Sequence, residues 1–68
     1  MNINMLKGKI KENDMTQEDV ANKIGLSLSR LNAKLNETGG AEVSLGEVRS
    51  MKNLFKLEPE QVDQIFFA

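Results

Sequence analysis

Few side chains in this sequence could carry out acid–base or metal chemistry. The chain contains no cysteine and no histidine, which excludes zinc-thiolate sites, imidazole ligands and histidine general bases. Three carboxylates, Glu58, Glu60 and Asp63, lie close together, and the first two suit the favourable electrostatics of a helix N-terminus. The Gly39-Gly40 pair lacks the lysine and the preceding strand of a phosphate-binding loop. We therefore expect no enzyme active site, no metal site and no cofactor.

Length and composition limit the chain to one small domain, which we predict to cover residues 1–68. The hydrophobic fraction of 40% is ordinary for a globular protein. No apolar run is long enough to cross a membrane, and the N-terminal segment lacks the apolar core of a signal peptide. These features predict a cytoplasmic protein without a membrane partner.

Charge is divided unevenly between the two halves of the chain. The net charge is −1. Residues 1–34 contain six basic and four acidic side chains, whereas residues 35–68 contain three basic and six acidic ones. The distribution permits a basic face on the first half, although the overall charge is not typical of a nucleic-acid-binding protein.

Five helical segments are predicted from apolar spacing and from helix start and stop signals, and no strand is expected. The predicted segments are 3–12, 16–24, 27–35, 44–55 and one that begins with Pro59 at its first helical position. Thr16 with Asp19, and Ser44 with Glu47, form capping boxes. Gly25 is expected to stop the second helix in the left-handed conformation. The fold class is therefore all-α.

The second and third helices are predicted to lie close together across a short turn that contains glycine, the geometry of a helix-turn-helix. Ala21 is small, as the crossing of the two helices requires, and Leu26 is expected to pack from the turn into the core. The apolar positions Val20, Ile24, Leu31 and Leu35 are expected to fill the space between the helices. Leu28 lies in the first turn of the third helix, where we expect it to be exposed.

The pattern Gln-x-x-Val-Ala-x-x-x-Gly-Leu-Ser-x-x-x-Leu-x-x-x-Leu-Asn over residues 17–36 resembles the helix-turn-helix of the λ-repressor-like (XRE/Cro) family. The leading helix, the fourth helix that opens with Ser-Leu-x-Glu, and the closing Leu-x-Pro-Glu-Gln-Val segment also resemble that family. The chain is similar to small Cro-like and modulator-of-repression regulators of phages and prophages in Gram-positive bacteria. The resemblance implies a compact five-helix domain in which helices 2 and 3 bind DNA.

The resemblance also implies which residues contact double-stranded operator DNA. Residues 28–36 would enter the major groove, where Asn32 suits adenine and Arg30 suits guanine or a phosphate. Leu28 and Ala33 would make apolar contact with a thymine methyl group. The complete implied set is Gln17, Ser27, Leu28, Ser29, Arg30, Asn32, Ala33, Lys34, Asn36 and Ser44. Gln17, Lys34, Asn36 and the amides around Ser44 match positions that hold the phosphates or support a reading side chain.

Two alternatives remain open at this stage. The protein is either a repressor that binds its operator as a homodimer, or a modulator that acts by binding a larger phage repressor protein. The sequence pI of about 5.3 and the apolar Leu28 favour the second alternative. The predicted subunit or partner interface consists of Val62, Ile65, Phe66 and Phe67. Because adjacent helical residues point about 100° apart, at least one phenylalanine is expected to be exposed in a monomer.

Overall fold

The computed structural model describes residues 1–40 and 42–67, and within them it contains five α-helices and no strand. Residues 41 and 68, which the predicted domain includes, lie outside the described residues. The helices are α1 (Ile3–Glu12), α2 (Gln17–Ile24), α3 (Leu28–Leu35), α4 (Leu45–Phe55) and α5 (Pro59–Phe66). A short 3₁₀ turn, Thr38–Gly40, follows α3. The all-α prediction is confirmed.

The helices begin at the residues whose side chains can accept hydrogen bonds from the first turn. The Thr16 hydroxyl accepts from the Asp19 N–H at 3.1 Å, while the Asp19 carboxylate accepts from the Thr16 N–H at 2.9 Å. Ser44 and Glu47 form the same reciprocal pair at the start of α4. Both predicted capping boxes are therefore confirmed, and each supplies acceptors for donors that a helix leaves without an internal partner.

Three helices end in the same way, with one left-handed residue followed by an apolar residue. The left-handed residues are Asp14 (φ +56°), Gly25 (φ +79°) and Lys56 (φ +54°). In each case the next residue donates its N–H to the carbonyl five positions earlier, over 2.8–3.0 Å, which is the Schellman arrangement. Those next residues are Met15, Leu26 and Leu57, and all three pack into or against the core.

The core receives apolar side chains from all five helices. Its buried members are Leu6, Ile10, Val20, Ala21, Leu31, Leu35, Met51, Phe55, Leu57 and Ile65. Among the described residues no polar or charged residue is buried. The radius of gyration of 10.8 Å is that of a close-packed chain of this length.

The helices pack in the order α3, α2, α4, α5 and α1. α2 contacts both α3 and α4, while α5 contacts α4 and α1. The N-terminal end is fastened to α5 by a hydrogen bond from the Asn2 N–H to the Ile65 carbonyl at 2.6 Å. The predicted close approach of the second and third helices is confirmed, with Ala21 almost completely buried.

The left-handed turn at Gly25 leads to a first prediction. A methyl group built on Gly25 would meet nothing within 4 Å, so substitution is opposed only by the backbone conformation. Gly25→Ala should lower the free energy of unfolding by about 1–2 kcal/mol, the usual cost of a left-handed residue that carries a Cβ. Urea unfolding followed by circular dichroism measures the effect.

Gly8→Ala is the matched control for that measurement. Gly8 lies within α1, and a methyl group there also meets nothing within 4 Å. The same substitution should raise the free energy of unfolding by about 0.5–1 kcal/mol, because alanine loses less backbone freedom in a helix. Equal effects at both glycines would contradict the conformational explanation.

Candidate nucleic-acid interface

The orientation of α3 is set by its capping residue and by two buried leucines. The Ser27 hydroxyl accepts a hydrogen bond from the Arg30 N–H at 3.2 Å, which starts the helix at Leu28. Leu31 and Leu35, four positions apart, point into the core. The opposite side of α3 therefore faces away from α2.

The side of α3 that faces outward carries five of the ten residues predicted to contact DNA. Positions three and four apart share a helix face, so Ser29, Asn32, Ala33 and Asn36 form one stripe. Ser29 and Asn36 are exposed, whereas Asn32 and Ala33 are half-buried. Arg30 is exposed beside this stripe. We call these five residues the α3 outer face.

The other predicted DNA-contacting residues occupy different environments. Leu28 is 39% exposed at the start of α3, as the sequence predicted. Gln17 is half-buried at the first position of α2. The hydroxyl groups of Ser27 and Ser44 both cap helices, because each accepts a hydrogen bond from the backbone N–H three residues later. Both hydroxyl groups therefore already accept a hydrogen bond within the protein.

Lys34 lies away from the α3 outer face and is turned towards α4. Its ammonium nitrogen is 2.8 Å from Glu47 Oε1 and 3.3 Å from the Glu42 carbonyl oxygen. The side chains of Lys34 and Glu47 are only 17% and 15% exposed. Sequence analysis identified Glu47 as a capping residue but missed this pairing, because 13 residues separate the two side chains and no local signal connects them.

Electrostatics at the helix starts keep two carboxylates ionised. Burial alone would raise the pKa of the Glu47 carboxyl, but hydrogen bonds from Lys34 and Ser44, together with the Lys34 charge, hold that pKa below its ordinary value. Hydrogen bonds from the Thr16 backbone and side chain likewise lower the pKa of Asp19. Both carboxylates are thus charged at neutral pH, where a helix N-terminus favours a negative group.

The four C-terminal residues predicted to form an interface differ in how much they are exposed. Ile65 is completely buried in the core of the single chain, so that part of the prediction is corrected: its side chain is not available to form an interface. Val62 and Phe66 are half-buried, and Phe67 is 59% exposed. The expectation that at least one phenylalanine is exposed is confirmed.

Phe66 and Phe67 line an open groove of about 340 Å³. Its other lining residues are Met1, Glu37, Gly40, Glu42, Val43 and Val48. The lining thus includes apolar and acidic residues, and Glu37 lies 3.7 Å from the N-terminal ammonium group of Met1. We refer to this groove as the C-terminal groove. Leu45, at the first position of α4, is a further exposed apolar residue at 74%. Its position directly after a capping serine, like that of Leu28, is a sequence signal for exposure.

No protein-family model, curated protein or solved structure matches this chain. Within residues 1–40 and 42–67, no cluster of acidic side chains is arranged to hold a metal ion. The same part of the chain has no helix with the length and apolar character needed to span a membrane.

The Lys34–Glu47 pair leads to a prediction about pH. Because the pKa of Glu47 is lowered by folding, its ionised form stabilises the protein above its ordinary pKa of 4.5. That stabilisation is lost as the pH falls through the lower folded-state pKa. Glu47→Gln should therefore reduce the free energy of unfolding at pH 7, by about 1–2 kcal/mol, and by less at pH 3. Urea unfolding at the two pH values measures the difference.

Glu12→Gln provides the control for this prediction. Glu12 pairs with Lys9 at 3.3 Å on the surface of α1, and the Glu12 side chain is 67% exposed. Exposed ion pairs contribute little to stability, so this variant should unfold like the original protein at pH 7. A Glu47→Gln effect that is the same at both pH values would contradict the assigned role of the carboxylate.

Proposed function

We propose that this protein is a sequence-specific DNA-binding transcriptional regulator of the λ-repressor-like class. In this proposal α2, the turn at 25–27 and α3 act as a helix-turn-helix, and the protein represses transcription by occupying its operator, as a Cro-like phage repressor does. The observation that carries the proposal is the α3 outer face. It is a polar stripe on a short helix that is anchored by Leu31 and Leu35 and packed on α2.

The side chains of the α3 outer face suit the edges of bases in the major groove. Asn32 offers one donor and one acceptor, the combination that pairs with adenine. Arg30 offers a fork of donors to guanine or to a phosphate. Leu28 and Ala33 add apolar contact with a thymine methyl group, and Ser29 can bond to several bases. Asn36, at the end of the unit, would hold a phosphate, and Gln17, at its start, would hold a phosphate or support a reading side chain.

In this proposal the protein binds its operator DNA as a homodimer. Two copies related by a two-fold axis would place their α3 helices in successive major grooves, about 34 Å apart along the DNA. Each α3 is eight residues long, so each copy would read only a few base pairs. Two half-sites would then be needed to distinguish an operator from other sequences.

A salt titration tests the proposal directly. Affinity for the DNA upstream of the gene and for random DNA is measured by fluorescence anisotropy from about 50 to 200 mM salt, the range over which phosphate contacts change affinity strongly. A preference for the upstream DNA that persists at about 150 mM salt supports the proposed function. Equal, weak binding to both DNAs would refute it.

Substitutions on the α3 outer face give the corresponding prediction. Asn32→Ala and Arg30→Ala should each weaken operator binding by about 1–3 kcal/mol, because a bidentate base contact is lost. The measurement is anisotropy with the preferred DNA. Lys11→Ala, which removes a charge from the exposed surface of α1, should leave the preference unchanged. If both α3 variants bind like the original protein, α3 is not the reading helix.

The C-terminal groove favours a second candidate function, binding to a larger phage repressor protein. Phe67 exposes an aromatic ring at this groove, and exposed apolar surface of this kind marks protein interaction sites. Glu37 pairs with the N-terminal ammonium group at 3.7 Å, so the negative charge that would complement a basic DNA-binding protein comes from Glu42. In this role the protein would act as a modulator of the repressor.

Variants of the exposed apolar residues test this second candidate. Phe67→Ser should weaken binding to the larger phage repressor protein, encoded by the neighbouring gene, at least about tenfold, since buried aromatic side chains dominate interface energies. Isothermal titration calorimetry with the purified repressor measures the affinity. Leu45→Ser, at a still more exposed apolar residue that does not line the groove, is the control. An unchanged affinity for Phe67→Ser would exclude the groove as the binding surface.

A further inference from the structure

We propose that Lys34 is a positioning residue, whose ion pair with Glu47 fixes the angle of α3 against the start of α4, and that it does not bind a DNA phosphate. This inference rests on the proposed DNA-binding function. It reassigns a residue whose position in the sequence matches phosphate-contacting positions. The consequence is that α4 takes part in sequence reading without contacting a base.

The Lys34 ammonium group already has two hydrogen-bond acceptors within the protein. It lies 2.8 Å from Glu47 Oε1 and 3.3 Å from the Glu42 carbonyl oxygen, and five-sixths of the side chain is covered. Reaching a phosphate would remove these bonds and leave the largely covered Glu47 carboxylate without its cation. Breaking a covered pair by taking away one partner is strongly unfavourable.

Glu47 is held in place independently of Lys34. The carboxylate oxygen that bonds to Lys34 also accepts from the Ser44 N–H at 2.9 Å, and the Glu47 N–H donates to the Ser44 hydroxyl at 3.2 Å. The first bond holds the carboxylate at the start of α4, and the second holds the backbone from which the side chain extends. Lys34 therefore bonds to an acceptor that is already oriented, so the pair restrains α3 and not merely two flexible side chains.

The restraint acts where α3 has few other supports outside its contact with α2. α3 packs mainly on α2 and on the 3₁₀ turn that follows it. A tilt of about 10° at Lys34 would move Ser29, five positions away, by roughly 1.3 Å. Recognition side chains need to be held within about 0.5 Å of their productive positions. Loss of the pair would therefore impair base reading more than phosphate binding.

Lys34→Met tests the assignment, because a positioning residue and a phosphate contact change different quantities. The affinity for the preferred DNA and for random DNA is measured as a function of salt. We expect the preference to fall at least about tenfold, the size of one lost bidentate base contact, with the slope of log affinity against log salt unchanged. Lys7→Met, at an exposed lysine of α1, should change neither quantity.

Glu47→Gln provides the second variant, which leaves the lysine in place. If Lys34 positions α3, Glu47→Gln lowers the preference in the same way as Lys34→Met, again without a change in slope. If Lys34 instead contacts a phosphate, Glu47→Gln frees the ammonium group and tightens binding to both DNAs. Circular dichroism at the assay temperature confirms that each variant is folded before its affinity is compared.

The opposite results overturn the inference. A slope that is smaller by about 0.9 for Lys34→Met, with the preference intact, would assign Lys34 to a phosphate. No change in either slope or preference would mean that the pair contributes only to stability. If the original protein shows no preference for the upstream DNA over random DNA, the proposed function fails, and this inference fails with it. That result needs no variant, so it is distinguished from a failure of the inference alone.

Discussion

The left-handed residue at the end of a helix is the constraint on which this small fold depends. Asp14, Gly25 and Lys56 each reverse the chain within one residue. The next residue, which is apolar, donates its N–H to the carbonyl oxygen five positions earlier. This hydrogen bond directs its side chain back towards the core. Helices of only 8–11 residues are marginal in isolation, so their stability comes from packing against one another. The turns are what bring the apolar faces together.

Only one of these three turns has the residue best suited to it. Gly25 adopts a positive φ without steric cost, and it is the turn that joins α2 to α3. Asp14 and Lys56 carry a Cβ in the same conformation. Their conformation is maintained because Met15 and Leu57 gain burial in return. Burial of these two apolar residues thus offsets the backbone strain at Asp14 and Lys56.

One segment of the chain contacts α3 and also lines the C-terminal groove. The Glu42 carbonyl oxygen accepts a hydrogen bond from Lys34 of α3, and Glu42 lines the groove together with Val43. The segment that leads into α4 therefore supports the helix proposed to read DNA and borders the groove proposed to bind a protein.

Much of the fold was predictable because its signals are local. A capping box needs residues three apart, a helix stop needs one glycine, and an amphipathic stripe repeats within a turn. These signals located all five helices and the exposure of Leu28. The turn at Lys56 carries no glycine, and Leu57 was accordingly missed as a core residue.

The sequence by itself determined where each helix starts, which faces are apolar and which side chains on α3 are polar. Only the tertiary structure decided that Lys34 faces Glu47, that Ile65 is covered within the chain, and that Phe67 lines a groove. Local hydrogen bonds and helical period are fixed by neighbours along the chain. Contacts across 13 or more residues depend on the angles at which helices pack, and those angles result from the whole core fitting together.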